Sequence, residues 1–268
     1  MSRKTSVIKI LSVNVGRSSN AQQIALQNAF DSRIDLLLIQ EPYVSFDTAR
    51  RITCRHPSFE CYSPVNDWTV RPRVITYANK HSNINHYQER PRCITEQGIG
   101  DILLLSVIAP NNPRLLIINA YNAPPGSTNP GAGVSRLISL AEFSLPPQTI
   151  LAGDLNLHNP MWHPSYRGSP SSQSEAFICW LGLRDLLLIS EIDKPTHNCG
   201  NVLDLCFGSS QLVARGTIAT VQEDLDVTSD HLPLLANVYC GAREAAPITG
   251  LRFATIDKDI FLSLLRAQ

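Results

Sequence analysis

Short apolar runs separated by helices and turn-rich loops constrain the fold of this chain more than any other feature. Val7 to Val13 is rich in β-branched residues, Asn20 to Phe30 carries helix-forming Ala, Gln and Leu, and Leu36 to Gln40 is apolar again. This order predicts a strand, a helix and a second strand. Seven further strands are predicted at Arg73 to Ala78, Ile102 to Ala109, Leu115 to Tyr121, Gln148 to Ala152, Leu203 to Phe207, Gly216 to Val221 and Leu232 to Tyr239.

Helical spacing occurs at Val134 to Phe143 and at Ser172 to Leu181. The segment Ala123 to Gly133 is rich in Pro, Gly, Ser and Asn, which predicts a loop. Short strands interleaved with a few helices indicate an α/β (α+β) protein in which two packed sheets are flanked by helices. The pattern loosens from Gly241 onward, where Asp257 to Leu265 is predicted as a small amphipathic helix appended to a finished domain.

Charge and cysteine content indicate the kind of partner and the cellular environment to expect. The 23 basic and 23 acidic residues cancel, but eight basic residues stand against three acidic ones between Arg50 and Arg92. The seven cysteines are scattered and never spaced as C-x-x-C, which predicts reduced thiols in an intracellular protein. No stretch approaches the roughly 20 apolar residues that cross a bilayer, so we expect no membrane partner.

Polar residues stand at or just beyond the ends of most of the predicted strands. If these strands run towards a common edge, their carboxylates converge and repel one another unless a cation lies between them. A hard divalent ion such as Mg²⁺ prefers such oxygen ligands. The strand ends therefore predict one functional site with a cation between its carboxylates, formed by Asn14, Glu41, Tyr121, Asp154 with Asn156, Asp204, and Asp230 with His231.

Each of these motifs also has a purely structural interpretation when it is taken alone. Glu41 before a proline is typical of a charged strand end, and Gly153-Asp154-Leu-Asn156 is typical of an Asx turn. Ser229-Asp230-His231 fits a cap of a helix or strand. The combination of all of them in chain order favours a functional site.

These motifs together carry a resemblance to a known family. The ordered motifs of the endonuclease/exonuclease/phosphatase superfamily resemble five segments of this chain, over roughly residues 7 to 240: Asn14, Gln40-Glu41, Tyr121, Gly153-Asp154-Leu-Asn156 and Ser229-Asp230-His231. More narrowly, four longer segments resemble the apurinic-endonuclease-like domain of non-LTR retrotransposons, which nicks target DNA and precedes a reverse transcriptase in one polyprotein. The segments are Asn14-Val-Gly-Arg17, Gln40-Glu-Pro-Tyr43, Tyr121-Asn-Ala-Pro-Pro125 and Gly153-Asp-Leu-Asn-Leu-His-Asn-Pro-Met-Trp162.

The resemblance implies a fold, a domain division and a set of partners. The implied fold is a DNase I-like four-layer α/β/β/α sandwich of two mixed β-sheets. Residues 5 to 240 would form the catalytic domain, and residues 241 to 268 would lead towards a reverse transcriptase in cis. The implied partner is DNA, and we expect the protein to act in the nucleus.

The resemblance also implies a metal site and roles for its residues. The cofactor is Mg²⁺, for which Mn²⁺ can substitute, and its implied ligands are Glu41, Asn14 and Asp230. Many relatives carry an acidic or amide residue where this chain has Gly16, which favours a single metal ion. Pro124 stands where many relatives place an Asn.

The implied catalytic residues are Asp154, Asn156, His231, Tyr121 and Asp204. Asp154 would position or deprotonate the attacking water, and Asn156 would bind the scissile phosphate. His231, oriented by Asp204, would meet the same phosphate. Tyr121 would donate its hydroxyl to a phosphate oxygen.

The expected DNA contacts are Arg17, Arg71, Arg73 and Trp162. The arginines would neutralise backbone phosphates. Trp162, like Trp68, would stack against bases, although a loop aromatic more often packs onto the core. Two alternatives remain at this level: a phosphatase or lipid phosphodiesterase of the same superfamily, and a non-catalytic relic of a mobile element.

Overall fold

Strands that are buried on both faces organise the molecule. The computed structural model describes residues 7–47, 50–65, 71–91, 100–140 and 143–240. The elements are β1 (Val7–Asn14), α1 (Ser19–Asp31), β2 (Leu36–Gln40), β3 (Ser45–Asp47), β4 (Arg50–Ile52), β5 (Phe59–Tyr62), β6 (Val74–Asn79), β7 (Asn85–Glu89), β8 (Ile102–Ile108), β9 (Leu115–Tyr121), α2 (Ala132–Ser139), β10 (Thr149–Asp154), α3 (Ser174–Leu183), β11 (Leu186–Leu188), β12 (Asp204–Ser209), α4 (Ser210–Val213), β13 (Ile218–Val221) and β14 (Leu234–Tyr239).

Two six-stranded sheets form the centre of the fold. Their strand orders are β13-β14-β1-β2-β6-β5 and β11-β12-β10-β9-β8-β7, and β3 and β4 form a separate hairpin. Both sheets are mixed, because β1 pairs parallel with β2 and β9 pairs parallel with β10, while the other pairings are antiparallel. The predicted class, two packed mixed sheets flanked by helices, is confirmed.

Three apolar clusters separate four layers. The first cluster lies between the two sheets and includes the buried Ile10 of β1 and Ile117 of β9. The second joins β9 and β10 to α2 and α3, and it contains Phe177. The third joins β1 and β2 to α1, and it contains Ala25. The layers therefore follow the order helix, sheet, sheet, helix.

The parallel pairs bring predicted strand ends to one edge. Asn14 is paired with Gln40 at the ends of β1 and β2, and Tyr121 is paired with Asp154 at the ends of β9 and β10. Asp154 is also paired with Asp204, because β12 begins where the antiparallel β10 ends. Glycine is required at position 153, since a Cβ there would lie 1.8 Å from the carbonyl oxygen of Ala120.

The structure adds elements that the sequence patterns did not reveal. Strands β5, β7 and β11 are short or polar, so they lack the apolar periodicity on which the predictions depended. The predicted helix at Asp257 to Leu265 and the extension at 241–268 lie outside the described residues, so the domain boundary stays a prediction. Among the described residues, no helix is long and apolar enough to span a membrane.

Candidate active site

Asp154 lies at the centre of a polar cluster. Its side chain is 1% exposed, and its Oδ2 accepts hydrogen bonds from Asn14 Nδ2 at 2.8 Å and from Asn156 Nδ2 at 2.9 Å. Its Oδ1 accepts from the backbone N–H of Asn156 at 3.1 Å. Burial, followed by the charge of Asp204, raises the pKa of Asp154 to about 7. A carboxyl group with this pKa exchanges a proton near neutral pH.

His231 is held between two buried carboxylates. Its Nδ1 lies 2.7 Å from Asp204 Oδ2, and its Nε2 lies 3.9 Å from Asp154 Oδ2. Burial lowers the pKa of His231, but the charge and hydrogen bond of Asp204 and the charge of Asp154 outweigh it and raise this pKa to about 10. Asp204 therefore orients the ring and favours its positively charged form.

Tyr121 lies beside this cluster, beneath an arginine. The guanidinium carbon of Arg73 is 4.8 Å from the centre of the Tyr121 ring. Burial, followed by the charge of Glu41, raises the pKa of Tyr121 to about 12. The phenol therefore keeps its proton at neutral pH and is available as a hydrogen-bond donor. Arg73 also lies 4.0 Å from Asp101, which forms an ion pair with Arg136 of α2.

Glu41 and Arg17 form the solvent-facing side of the site. Arg17 Nε donates to Glu41 Oε1 at 3.0 Å, and the backbone N–H of Arg17 donates to the carbonyl oxygen of Glu41 at 2.8 Å. The Arg17 side chain is 52% exposed and that of Glu41 is 16% exposed. Both residues have positive φ, 63° and 44°, a backbone conformation that is strained in non-glycine residues.

Asp230 lies between the buried cluster and the loop after β1. Ser229 Oγ donates to the carbonyl oxygen of Asn14 at 2.7 Å and lies 3.3 Å from Asp230 Oδ1. A Cβ at Gly16 would lie 3.8 Å from Asp230 Oδ1. A side chain at position 16 would therefore begin in contact with Asp230.

Most of the predicted site residues lie at this one edge. Arg71 is placed beside it, with Nη2 3.4 Å from the carbonyl oxygen of Pro42. The prediction that Trp162 contacts DNA is wrong, because its side chain is fully buried and its Nε1–H donates to the carbonyl oxygen of Leu157 at 3.0 Å. The other loop aromatic considered, Trp68, lies outside the described residues. The residues brought to the edge are Asn14, Arg17, Glu41, Arg71, Arg73, Tyr121, Asp154, Asn156, Asp204, Asp230 and His231.

His197 belongs to the site but was not predicted from the sequence. Its Nε2 lies 3.4 Å from Asp230 Oδ2, and its ring packs edge-on against His231 with 4.8 Å between ring centres. The preceding Thr196 Oγ1 accepts from the backbone N–H groups of Leu203 and Asp204, each at 3.0 Å. No apolar run ends at this segment, so the pattern of strand ends does not reveal it.

The side chains present fit a divalent cation. Among the described residues, two groups have possible ligand atoms within 4.8 Å of one another, Asp154 with Asp204 and His231, and His197 with Asp230 and His231. Because His231 is held in its charged form, the atoms of these groups that suit a cation are the carboxylate oxygens. The buried Asp204 Oδ1 has no hydrogen-bond partner among the described residues. A cation near these carboxylates would offset the repulsion between Asp154 and Asp204.

The two packed mixed sheets are the part of this architecture that known proteins share. Solved structures described as endonuclease/exonuclease/phosphatase proteins share this fold, so the resemblance carried by the sequence motifs is confirmed as a likeness of fold. More narrowly, residues 115–235 match the family model described as "Endonuclease-reverse transcriptase". No curated protein matches the chain.

Solved structures share the fold at low sequence identity. The endonuclease domain of TRAS1, a telomere-specific non-LTR retrotransposon, is 18% identical with a TM-score of 0.65, over 88% of this chain and 99% of that one. The catalytic domain of Xenopus laevis APE2 is 17% identical with a TM-score of 0.58, over 87% and 92%. The 3′–5′ exonuclease NExo of Neisseria meningitidis is 15% identical with a TM-score of 0.60, over 86% and 99%.

Proposed function

We propose that the chain is a divalent-metal-dependent endonuclease that hydrolyses phosphodiester bonds and nicks DNA. In this proposal it is the target-DNA-nicking domain of a non-LTR retrotransposon, acts in the nucleus and has a reverse transcriptase in cis. The observation that carries the proposal is the buried cluster of Asp154, Asp204 and His231. The match to an endonuclease-reverse transcriptase family and the fold shared with a retrotransposon endonuclease support it.

The buried cluster has the groups that phosphodiester hydrolysis requires. Asp154, with a pKa of about 7, accepts a proton from the attacking water. His231, held in its charged form by Asp204, directs Nε2–H towards a phosphate oxygen. Tyr121 offers a second donor, which is neutral. These groups align the water and offset the charge that develops on the phosphate.

Asn156 is already engaged within the protein. Its Nδ2 donates to Asp154 Oδ2 and to the carbonyl oxygen of Asn122, each at 2.9 Å. A contact with the scissile phosphate therefore requires one of these bonds to be exchanged. The bond to Asp154 meanwhile holds the carboxylate in a fixed orientation.

The proposed metal ligands remain Glu41, Asn14 and Asp230. A bound Mg²⁺ would supply charge stabilisation for the phosphate oxygens and the leaving alkoxide. Arg17, Arg71 and Arg73 are proposed to bind backbone phosphates, a contact that salt weakens. Arg17 is best suited to this role because its side chain is 52% exposed.

The test is nicking of supercoiled plasmid in the presence of Mg²⁺. The wild-type chain should convert the plasmid to the open circle, and a chelator should abolish the conversion. Asp154→Ala and His231→Ala should each be slower by about 100-fold to 1000-fold. His81→Ala is the matched control, because His81 is exposed and follows the opposite end of β6.

Two outcomes contradict the nuclease proposal. If the wild type, Asp154→Ala and His231→Ala nick equally, the activity does not come from this site. If none nicks, the same proteins are tested on a small phosphate monoester and on sphingomyelin. Cleavage of either substrate without nicking of DNA would assign the site to a phosphatase or a lipid phosphodiesterase.

A further inference from the structure

The loop from Thr196 to Asn201 is fixed to the segment that carries Asp230 and His231. His197 forms an antiparallel bridge with His231. The backbone N–H of Asn198 donates to the carbonyl oxygen of Asp230 at 2.9 Å, and that of Leu232 donates to the carbonyl oxygen of Thr196 at 2.8 Å. The position of the His197 ring relative to Asp230 is therefore set by the backbone.

The hydrogen bonds of His197 define which ring nitrogen carries the proton. The backbone N–H of Cys199 donates to His197 Nδ1 at 3.1 Å, so Nδ1 acts as an acceptor. A neutral imidazole with an acceptor at Nδ1 carries its proton on Nε2. This Nε2 lies 3.4 Å from Asp230 Oδ2. A protonated Nε2 is a donor to a carboxylate and not a ligand for a metal ion.

The Asp230 side chain is 52% exposed, so the surrounding protein does little to fix its orientation. A hydrogen-bond donor beside it would hold the carboxylate in place. Ser229 contacts its other oxygen, Oδ1, at 3.3 Å. Contacts of this length are common before a substrate or ion binds, and they tighten on binding. We propose that His197 is a positioning residue that holds the Asp230 carboxylate for a divalent cation. This inference rests on the proposed metal-dependent function.

Two substitutions test the roles of the two ring nitrogens of His197 separately. In His197→Asn the amide replaces Nδ1 and can accept from Cys199, but nothing reaches Asp230. In His197→Gln the longer side chain can place an N–H donor near the position of Nε2. His197→Phe keeps the packing against His231 and lacks the donor, and it serves as a second variant if His197→Asn does not fold.

The measurement is Mn²⁺ binding, followed by electron paramagnetic resonance on folded protein. We expect His197→Asn to weaken binding about tenfold, the usual effect of losing a residue that orients a metal ligand. Asp230→Asn removes the charge of the proposed ligand itself and should weaken binding at least as much. His197→Gln should recover most of the affinity. The double variant His197→Asn/Asp230→Asn should bind no more weakly than Asp230→Asn alone. His81→Asn is the control for an unrelated histidine.

Three results overturn the inference. One is wild-type affinity in His197→Asn and His197→Phe, and another is wild-type affinity in Asp230→Asn. The third is a loss in both His197→Asn and His197→Gln that exceeds the loss in Asp230→Asn, since His197 would then be a ligand itself. If the wild type nicks DNA but the variants give one of these results, only this inference fails. If the wild type neither binds Mn²⁺ nor nicks DNA, the proposed function fails with it.

Discussion

The site has a buried centre, formed by Asp154, Asp204 and His231, and an outer rim, formed by Arg17 and Glu41. The centre is nearly inaccessible to water, with Asp154 1% and Asp204 2% exposed at their side chains. In the rim, the Arg17 side chain is 52% exposed. Charges in the centre interact strongly and are fixed by several hydrogen bonds, whereas an exposed ion pair contributes little and exchanges readily. The centre is therefore suited to chemistry and the rim to binding.

The largest expected effect is that of Asp204→Asn in the centre. This substitution removes the charge that favours the protonated His231 and that fixes its Nδ1–H. We expect plasmid nicking to slow by about 100-fold or more, because a neutral partner permits the wrong tautomer of the histidine. The rate is measured with saturating Mg²⁺, so that metal affinity does not limit it.

Asp31→Asn is the matched control for Asp204→Asn. Asp31 is exposed at the end of α1, and its carboxylate accepts from Gln27 at 3.0 Å. Nicking by this variant should equal that of the wild type. A nicking rate in Asp204→Asn equal to that of the wild type would show that the orientation of His231 does not limit the reaction. The division into centre and rim would then lose its basis.

A smaller effect is expected for Glu41→Gln in the rim. Loss of the carboxylate charge should raise the Mg²⁺ concentration for half-maximal nicking by about tenfold, since hard cations favour charged oxygen ligands. The rate at saturating Mg²⁺ should recover towards that of the wild type. Asp204→Asn should not recover in this way. Nicking by Glu41→Gln that stays low at every Mg²⁺ concentration would place Glu41 with the centre.

Arg17→Gln should weaken the affinity for DNA only a few-fold. Loss of one phosphate contact lowers the slope of log affinity against log salt by about 1. Arg33→Gln is a matched control, because Arg33 is also an exposed arginine with positive φ, 52° against 63° for Arg17, but it follows α1 on the opposite side. Equal salt slopes for the wild type and Arg17→Gln would exclude Arg17 from the DNA contact.

The buried centre was more predictable from the sequence than the rim. Asp154 and Asp204 adjoin short apolar runs that predict buried strands, and the pairing of β10 with β9 and β12 then brings the strand ends together. The ion pair of Arg17 with Glu41 depends on two residues with positive φ, which no local pattern reveals. The strand ends thus predicted where the site lies, and not how its solvent-facing side is arranged.

Trp162 and His197 show two further limits of sequence patterns. Trp162 is the last residue of the motif that begins at Gly153, but its indole is buried in the cluster beneath α2 and α3 and donates a hydrogen bond to the loop that carries it. Burial of a loop aromatic depends on tertiary packing, which local sequence does not specify. His197 enters the site through a bridge to His231, a contact between residues distant in the sequence.

The smallest expected effect is on the stability of the metal-free protein. The folded-state pKa of His231, about 10, is above its ordinary value of 6.5, so its stabilising contribution is complete below about pH 6.5 and is lost as the pH rises through about 10. With a chelator present, the melting temperature of the wild type should exceed that of His231→Gln most at about pH 6. The difference should be about 2–4 °C for each kcal/mol that the charged histidine adds to the free energy of unfolding. The difference should shrink by about pH 10. A difference that is constant across this range would mean that the charge of His231 does not stabilise the centre.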